Sequence, residues 1–176
     1  MKLSLKSFAT LSAVSALVVA PLVMGAGSAS AQPVRFDGSY VGAGVSAGVT
    51  NGGRDNDAAN IGGTIQGRFA VPTAPVSVRG AVSFNGNNSA VIPTLSYDLP
   101  VNKNTNVYAG AGYSFVQKDG QASPLGNKDA AVLQLGVESE VTKGVVLFGD
   151  AKYGINAYQG SKAGAVGLQA GAGIRF

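Results

Sequence analysis

The chain of 176 residues contains no cysteine, no histidine and no tryptophan. Without cysteine, no disulfide braces the fold, so an exported product must be held together by another device. Without histidine, neither a Ser–His couple nor an imidazole-ligated metal centre can be built. Charge is scarce as well: Asp, Glu, Lys and Arg make up 12% of the residues, and the net charge is +4. So small an excess, with no basic cluster, argues against nucleic acid as a partner. Mean hydropathy is nevertheless +0.20. Beyond the first two dozen residues, no run approaches the ~18 uninterrupted apolar residues of a helical membrane span.

The beginning of the sequence has the three parts of a secretory signal. Lys2 and Lys6 precede an apolar run from Phe8 to Met24, and "GSASA" supplies the small residues Ala29 and Ala31 of a cleavage site. Residues 1–31 therefore read as a signal peptide and residues 32–176 as a single domain starting at Gln32. An uncleaved anchor is disfavoured by the short apolar core and by Pro21 within it.

What the remainder has in abundance is alternation. Val41, Ala43, Val45, Ala47 and Val49 interleave with Gly42, Gly44, Ser46 and Gly48. Successive side chains of a strand point to opposite faces, so period two predicts strands. The pattern recurs in the apolar sets Ile61, Ile65, Phe69 and Val71; Val76, Val78, Val82 and Phe84; and Val91, Leu95, Tyr97 and Leu99. It continues through Val107 to Phe115, Ala131 to Val141, Val145 to Ile155, and the closing stretch from about Ala165 to Phe176. Eight strands result. Between them lie Gly, Asn, Asp and Pro signals such as "PTAP", "NGNN", "PVNKNT" and "TKG", which predicts an all-antiparallel meander. Pro93 lies inside the fourth strand and removes a ladder donor, so that strand is expected to be bulged or shortened, with Ile92 on the polar face.

Eight alternating strands fit either a soluble barrel with an apolar inside or a membrane barrel with the polarity inverted. The polar parity carries Arg68, Arg79, Lys152 and Arg175 together with Asp98, Glu138, Glu140 and Asp150, and is otherwise crowded with Gly, Ser, Ala and Thr. Four positive groups balance four negative ones among small residues, which suits a narrow interior rather than a solvated exterior. Those eight residues are expected to form an ion-pair network in the lumen. A soluble, lipocalin-like ligand-binding barrel is the weaker alternative. Threading the strands up and down gathers Phe69, Tyr97 and Phe176 at one end and Phe84, Tyr113, Phe115 and Tyr153 at the other, as two interfacial aromatic belts require. A closed sheet leaves no backbone group unpaired in hydrocarbon.

With that layout, residues 36–176 resemble the small eight-stranded outer-membrane proteins of the OmpA, OmpX and opacity-protein type, grouped as porin-family barrels. The sharpest element is the terminal "LQAGAGIRF". The resemblance implies a bacterial outer-membrane location with outer-membrane lipid around the barrel. It also implies that Ile174 and Phe176 are read by the barrel-assembly machinery during insertion. Outer-membrane lipases and proteases of barrel form resemble one another in using a catalytic histidine, so no enzymatic role is expected.

Other candidate sites are poor. Gly42, Gly44 and Gly48 lie inside a strand, not in a phosphate loop ahead of a helix. Asp55 and Asp57 lack the remainder of a calcium loop. Glu138 and Glu140 fit ion pairing better than acid–base catalysis. No cofactor or metal is expected. Two functions remain open: a structural or surface-interaction barrel with a salt-bridged, closed lumen, or a narrow porin-like channel whose many inward glycines leave a thin path. The oligomeric state is not legible.

Overall fold

A computed structural model describes residues 36–51 and 60–176. The signal segment, with its cleavage residues Ala29 and Ala31, and the acidic stretch at Asp55 and Asp57 lie outside the described residues. Eight strands follow one another: β1 (Tyr40–Gly48), β2 (Ile61–Ala70), β3 (Val76–Phe84), β4 (Ser89–Pro100), β5 (Thr105–Val116), β6 (Ala130–Thr142), β7 (Val145–Ile155) and β8 (Ala165–Arg175). Each pairs antiparallel with its neighbours in sequence, and β8 returns to β1 to close the barrel. Closure runs from Tyr40 opposite Arg175 to Gly48 opposite Gly167.

Both ends of the described barrel lie beside the short connections β2–β3, β4–β5 and β6–β7, here called the terminal end. The β1–β2 connection and the connections 85–88, 117–129 and 156–164 leave from the opposite end, here called the loop end. Local chemistry sets the turns. Asn85 Oδ1 accepts the backbone N–H groups of Asn87 and Asn88 at 2.9 and 2.7 Å, and Asn102 Oδ1 accepts that of Asn104 at 2.9 Å, each mimicking a backbone turn. Gly144, at φ +82°, closes the β6–β7 hairpin in the left-handed region.

The polarity of the wall is inverted relative to a soluble protein. Val45, Ile61, Leu95, Leu133 and Ile174 are all more than half exposed. Arg68, Glu138 and Asn106 are 0% exposed, facing inward. Pro93 neither bulges nor shortens β4, contrary to the expectation from sequence: β4 runs 12 residues, and its pairing with β3 continues unbroken through Gly80 opposite Pro93. The missing donor is absorbed on the β5 side alone, where the ladder skips Ile92 and Pro93 and the register resumes unshifted from Val91 opposite Phe115 to Thr94 opposite Gly112. The irregularity lies in β6–β7 instead, where the register shifts between Glu140 and Thr142.

Candidate functional site: a plugged lumen

The lumen is built in layers. In the half of the lumen toward the terminal end, β2 and β3 set Arg68 directly opposite Arg79, a like-charge pair that would repel on its own. Two carboxylates resolve it. Asp98 of β4 contacts Arg68 Nη2 at 2.8 Å and Arg79 Nη2 at 2.9 Å. Glu138 of β6 contacts Arg68 Nε at 3.2 Å and Arg79 Nη1 at 2.8 Å. Ser77 and Ser96 also donate to Asp98. The four charged side chains are each at most 1% exposed. A buried, fully hydrogen-bonded cluster of this kind holds one geometry, because loss of any member leaves a charge unpaired.

A second pair, Lys152 and Asp150 of β7, lies nearer the loop end with Nζ 2.5 Å from Oδ1. Neutral side chains join it to the first cluster. The Tyr40 hydroxyl donates to Glu138 at 3.1 Å and accepts from Gln66 at 3.1 Å. Gln169 donates to Gln66 and, at 2.8 Å, to Asp150. Tyr108 donates to Asp150 at 2.9 Å, and the Arg79 guanidinium lies 3.5 Å from the Tyr108 ring centroid, a cation–π contact.

The expected eight-membered network is thus divided. Arg68, Arg79, Asp98 and Glu138 form the central cluster, and Asp150 and Lys152 a connected pair. Glu140 and Arg175 do not belong to the lumen. They pair at 2.7 Å on the rim, where Arg175 is 36% exposed and also approaches Asp37 at 3.5 Å. Glu140 adjoins the β6–β7 irregularity and accepts the Gly144 N–H at 2.8 Å, so the turn holds it away from the interior. Glu138 and Glu140 therefore have separate partners and do not act as a carboxylate couple.

Sequence reasoning missed the aromatic residues that face inward. Phe36, Tyr40, Val146 and Phe148 form an apolar cluster toward the terminal end, with Tyr40 stacked on Phe148 at 5.9 Å. The Phe36 carbonyl accepts from Asn106 Nδ2 at 2.7 Å, and its ring lies 5.2 Å from the Arg68 guanidinium. These rings also correct the expected role of the inward glycines. A Cβ on Gly42 would come 2.8 Å from Phe148, one on Gly136 2.5 Å from Tyr108, and one on Gly173 2.9 Å from Tyr40. The glycines make room for rings and leave no open path. A signal was available: Tyr40, Tyr108 and Phe148 fall on the polar parity.

On the outside, the belt residues stand exposed in two tiers. Phe69, Tyr97 and Phe176 are at the terminal end, where Phe69 and Phe176 meet edge to face at 6.1 Å. Phe84, Tyr113, Phe115 and Tyr153 are at the loop end, with the Tyr113 and Phe115 rings 4.9 Å apart. Ile174 and Phe176 are 61% and 70% exposed, and the Phe176 N–H still bonds to the Ser39 carbonyl at 3.0 Å.

A closed eight-stranded sheet that is apolar outside and ion-paired inside defines a transmembrane β-barrel. Residues 18–176 match the outer membrane protein beta-barrel domain family, and the chain belongs to it. Its fold is similar to Ail, the attachment invasion locus protein of Yersinia pestis, at 18% identity and TM-score 0.53, covering 80% of this chain and 99% of that one. Neisserial surface protein A is similar at 17% identity and TM-score 0.52, covering 78% and 97%. The outer membrane protein OprG of Pseudomonas aeruginosa is similar at 9% identity and TM-score 0.54, covering 84% and 99%. A comparison with curated protein sequences finds no match. The chain is an integral protein of the bacterial outer membrane, and its lumen is closed by buried salt bridges.

Proposed function

We propose that this barrel is a non-conducting outer-membrane scaffold that acts through membrane integrity and its exposed loops. The observation that carries this reading is the Arg68–Asp98–Arg79–Glu138 cluster, which joins β2, β3, β4 and β6 through the interior. An eight-stranded barrel has room inside for little more than its own side chains, and here rings and ion pairs take that room. In this reading the terminal end faces the periplasm and the loop end the exterior. Outer-membrane lipid contacts the apolar wall, and the assembly machinery reads the outward row of β8 with Ile174 and Phe176. Loops this short, braced by their own amides, suit contact with neighbouring envelope components better than a large adhesive surface. No residue is assigned a catalytic role. Single-channel recording in planar bilayers tests the proposal: the folded protein is expected to give no unitary current steps, and a stable unitary conductance overturns it in favour of a narrow channel.

A further inference from the structure

The connection between β5 and β6 does not project from the barrel. Its arm, residues 117–121, is exposed, whereas Ser123 to Asn127 are all buried. Ser123 donates through both its N–H and its hydroxyl to the Gly126 carbonyl at 2.7 Å, and Gly126 completes the reversal at φ +100°. The tip of this turn, Pro124 and Leu125, sits in the mouth of the lumen. Leu125, 2% exposed, belongs to an apolar cluster with Ile92, Val132 and Ala157. The wall is cut to receive it: a Cβ on Gly48 or on Gly167 would lie 2.9 Å from the Pro124 carbonyl oxygen.

Below the tip is a cavity of about 10 Å³ lined by Ser46, Ser83, Lys152 and Gln169 as well as by Ile92 and Leu125. The tip therefore separates the exterior from the Lys152–Asp150 pair. Polar bonds hold it on two sides. On one, the Asn127 N–H donates to the Ala157 carbonyl at 2.9 Å and Asn127 Oδ1 accepts the Gln159 N–H at 2.7 Å. On the other, asparagines of the β3–β4 connection reach the arm. Asn88 Nδ2 donates to the carbonyls of Lys118 and Gln121 at 2.8 and 2.6 Å. Asn85 Nδ2 donates to that of Ala122 at 2.9 Å. A short turn whose large apolar side chains are Pro124 and Leu125, tied down by hydrogen bonds to neighbouring loops, is the kind of element that opens locally while the sheet stays intact.

We propose that loop 117–129 is a movable plug, the outer of two seals across the lumen. Its withdrawal opens a vestibule with apolar walls at Ile92 and Val132 and a floor at Lys152. The inference rests on the closed-lumen reading for its inner seal, the Arg68–Asp98–Arg79–Glu138 cluster.

The absence of native cysteine allows a direct test. Ser83, 3% exposed beneath the tip, is changed to cysteine, and its rate of reaction with a charged, membrane-impermeant methanethiosulfonate is measured on the full-length folded barrel. Two variants are then added to Ser83→Cys: Asn88→Ala, which removes the strap's bonds to Lys118 and Gln121 without touching the tip, and Leu125→Gly, which removes the plug side chain. A difference in gel mobility between boiled and unboiled samples, as expected of a closed barrel that opens only cooperatively, shows that each is folded. Both are expected to label at least ~10-fold faster than Ser83→Cys alone while carrying no ionic current. Fast labelling of the parent cysteine protein overturns the seal. Equal slow labelling in all three overturns the movable plug, and current through a labelled variant overturns the inner seal. Conductance of the otherwise unaltered protein tests the scaffold reading separately.

Discussion

Arg79 grips Glu138 with two hydrogen bonds across the barrel, Nη1 to Oε2 at 2.8 Å and Nη2 to Oε1 at 3.1 Å. Arg79 also bonds Asp98 at 2.9 Å and the Ser96 hydroxyl at 2.8 Å, so one guanidinium serves two carboxylates. Arg79→Leu leaves Asp98 and Glu138 to share Arg68. A loss of about 3 to 5 kcal/mol is expected for breaking such a buried pair from one side. Urea unfolding of the protein refolded in detergent measures it. The rim variant Glu140→Gln serves as the control, with an effect under about 1 kcal/mol, because a partly exposed pair is screened by water.

Lys152→Ala separates stability from conduction. Asp150 would lose the one cationic contact it has among the described residues but keep hydrogen bonds from Tyr108 and Gln169. The expected loss is therefore below the figure for Arg79. Because the central cluster is untouched, the variant is expected to unfold at lower temperature without gaining ionic current. Unchanged thermal stability would mean that the pair does not brace the lumen, and a new current would place the decisive barrier at Lys152.

Gly136→Ala probes the rings. The added methyl would meet Tyr108 and the Asp150 Cβ, both at 2.5 Å, and neither can retreat without giving up a contact to Arg79 or Gln169. Overpacking of this kind costs about 1 to 3 kcal/mol. Gly80→Ala, whose methyl would meet nothing within 4 Å on the lipid side, is expected to be close to neutral in the same denaturation assay.

The strands and their parity were legible because outward Val, Leu and Ile alternate with small and polar residues over most of each strand. Parity assigns a residue to a face but not to a height. Height follows from the stagger between strands, which no single strand encodes. Arg68 and Arg79 become neighbours only through the β2–β3 register, whereas Arg175 on the same parity ends at the rim. Pro93 shows the converse: a local rule suggested a break, and the pairing on both sides keeps the strand in register. The 117–129 plug left no periodic trace, since its seat depends on wall glycines at positions 48 and 167, distant in sequence.

Phe176 and Phe69 allow assembly to be separated from stability within one ring pair. Their edge-to-face contact at 6.1 Å is of a geometry whose coupling is about 0.5 to 1.5 kcal/mol beyond burial. In detergent, Phe69→Ala and Phe176→Ala are expected to cost similar amounts, and the double variant less than their sum by that coupling. A single interfacial ring contributes roughly 1.5 to 3 kcal/mol at most, which a closed barrel survives. In cells the two variants are expected to diverge. If the outward row of β8 is what the assembly machinery reads, Phe176→Ala slows insertion far more than Phe69→Ala, although both remove a ring from the same belt. Pulse–chase recovery of the heat-shifted, folded form in outer membranes measures the insertion rate. Equal slowing in cells, matching equal losses in detergent, would reduce Phe176 to one more belt residue.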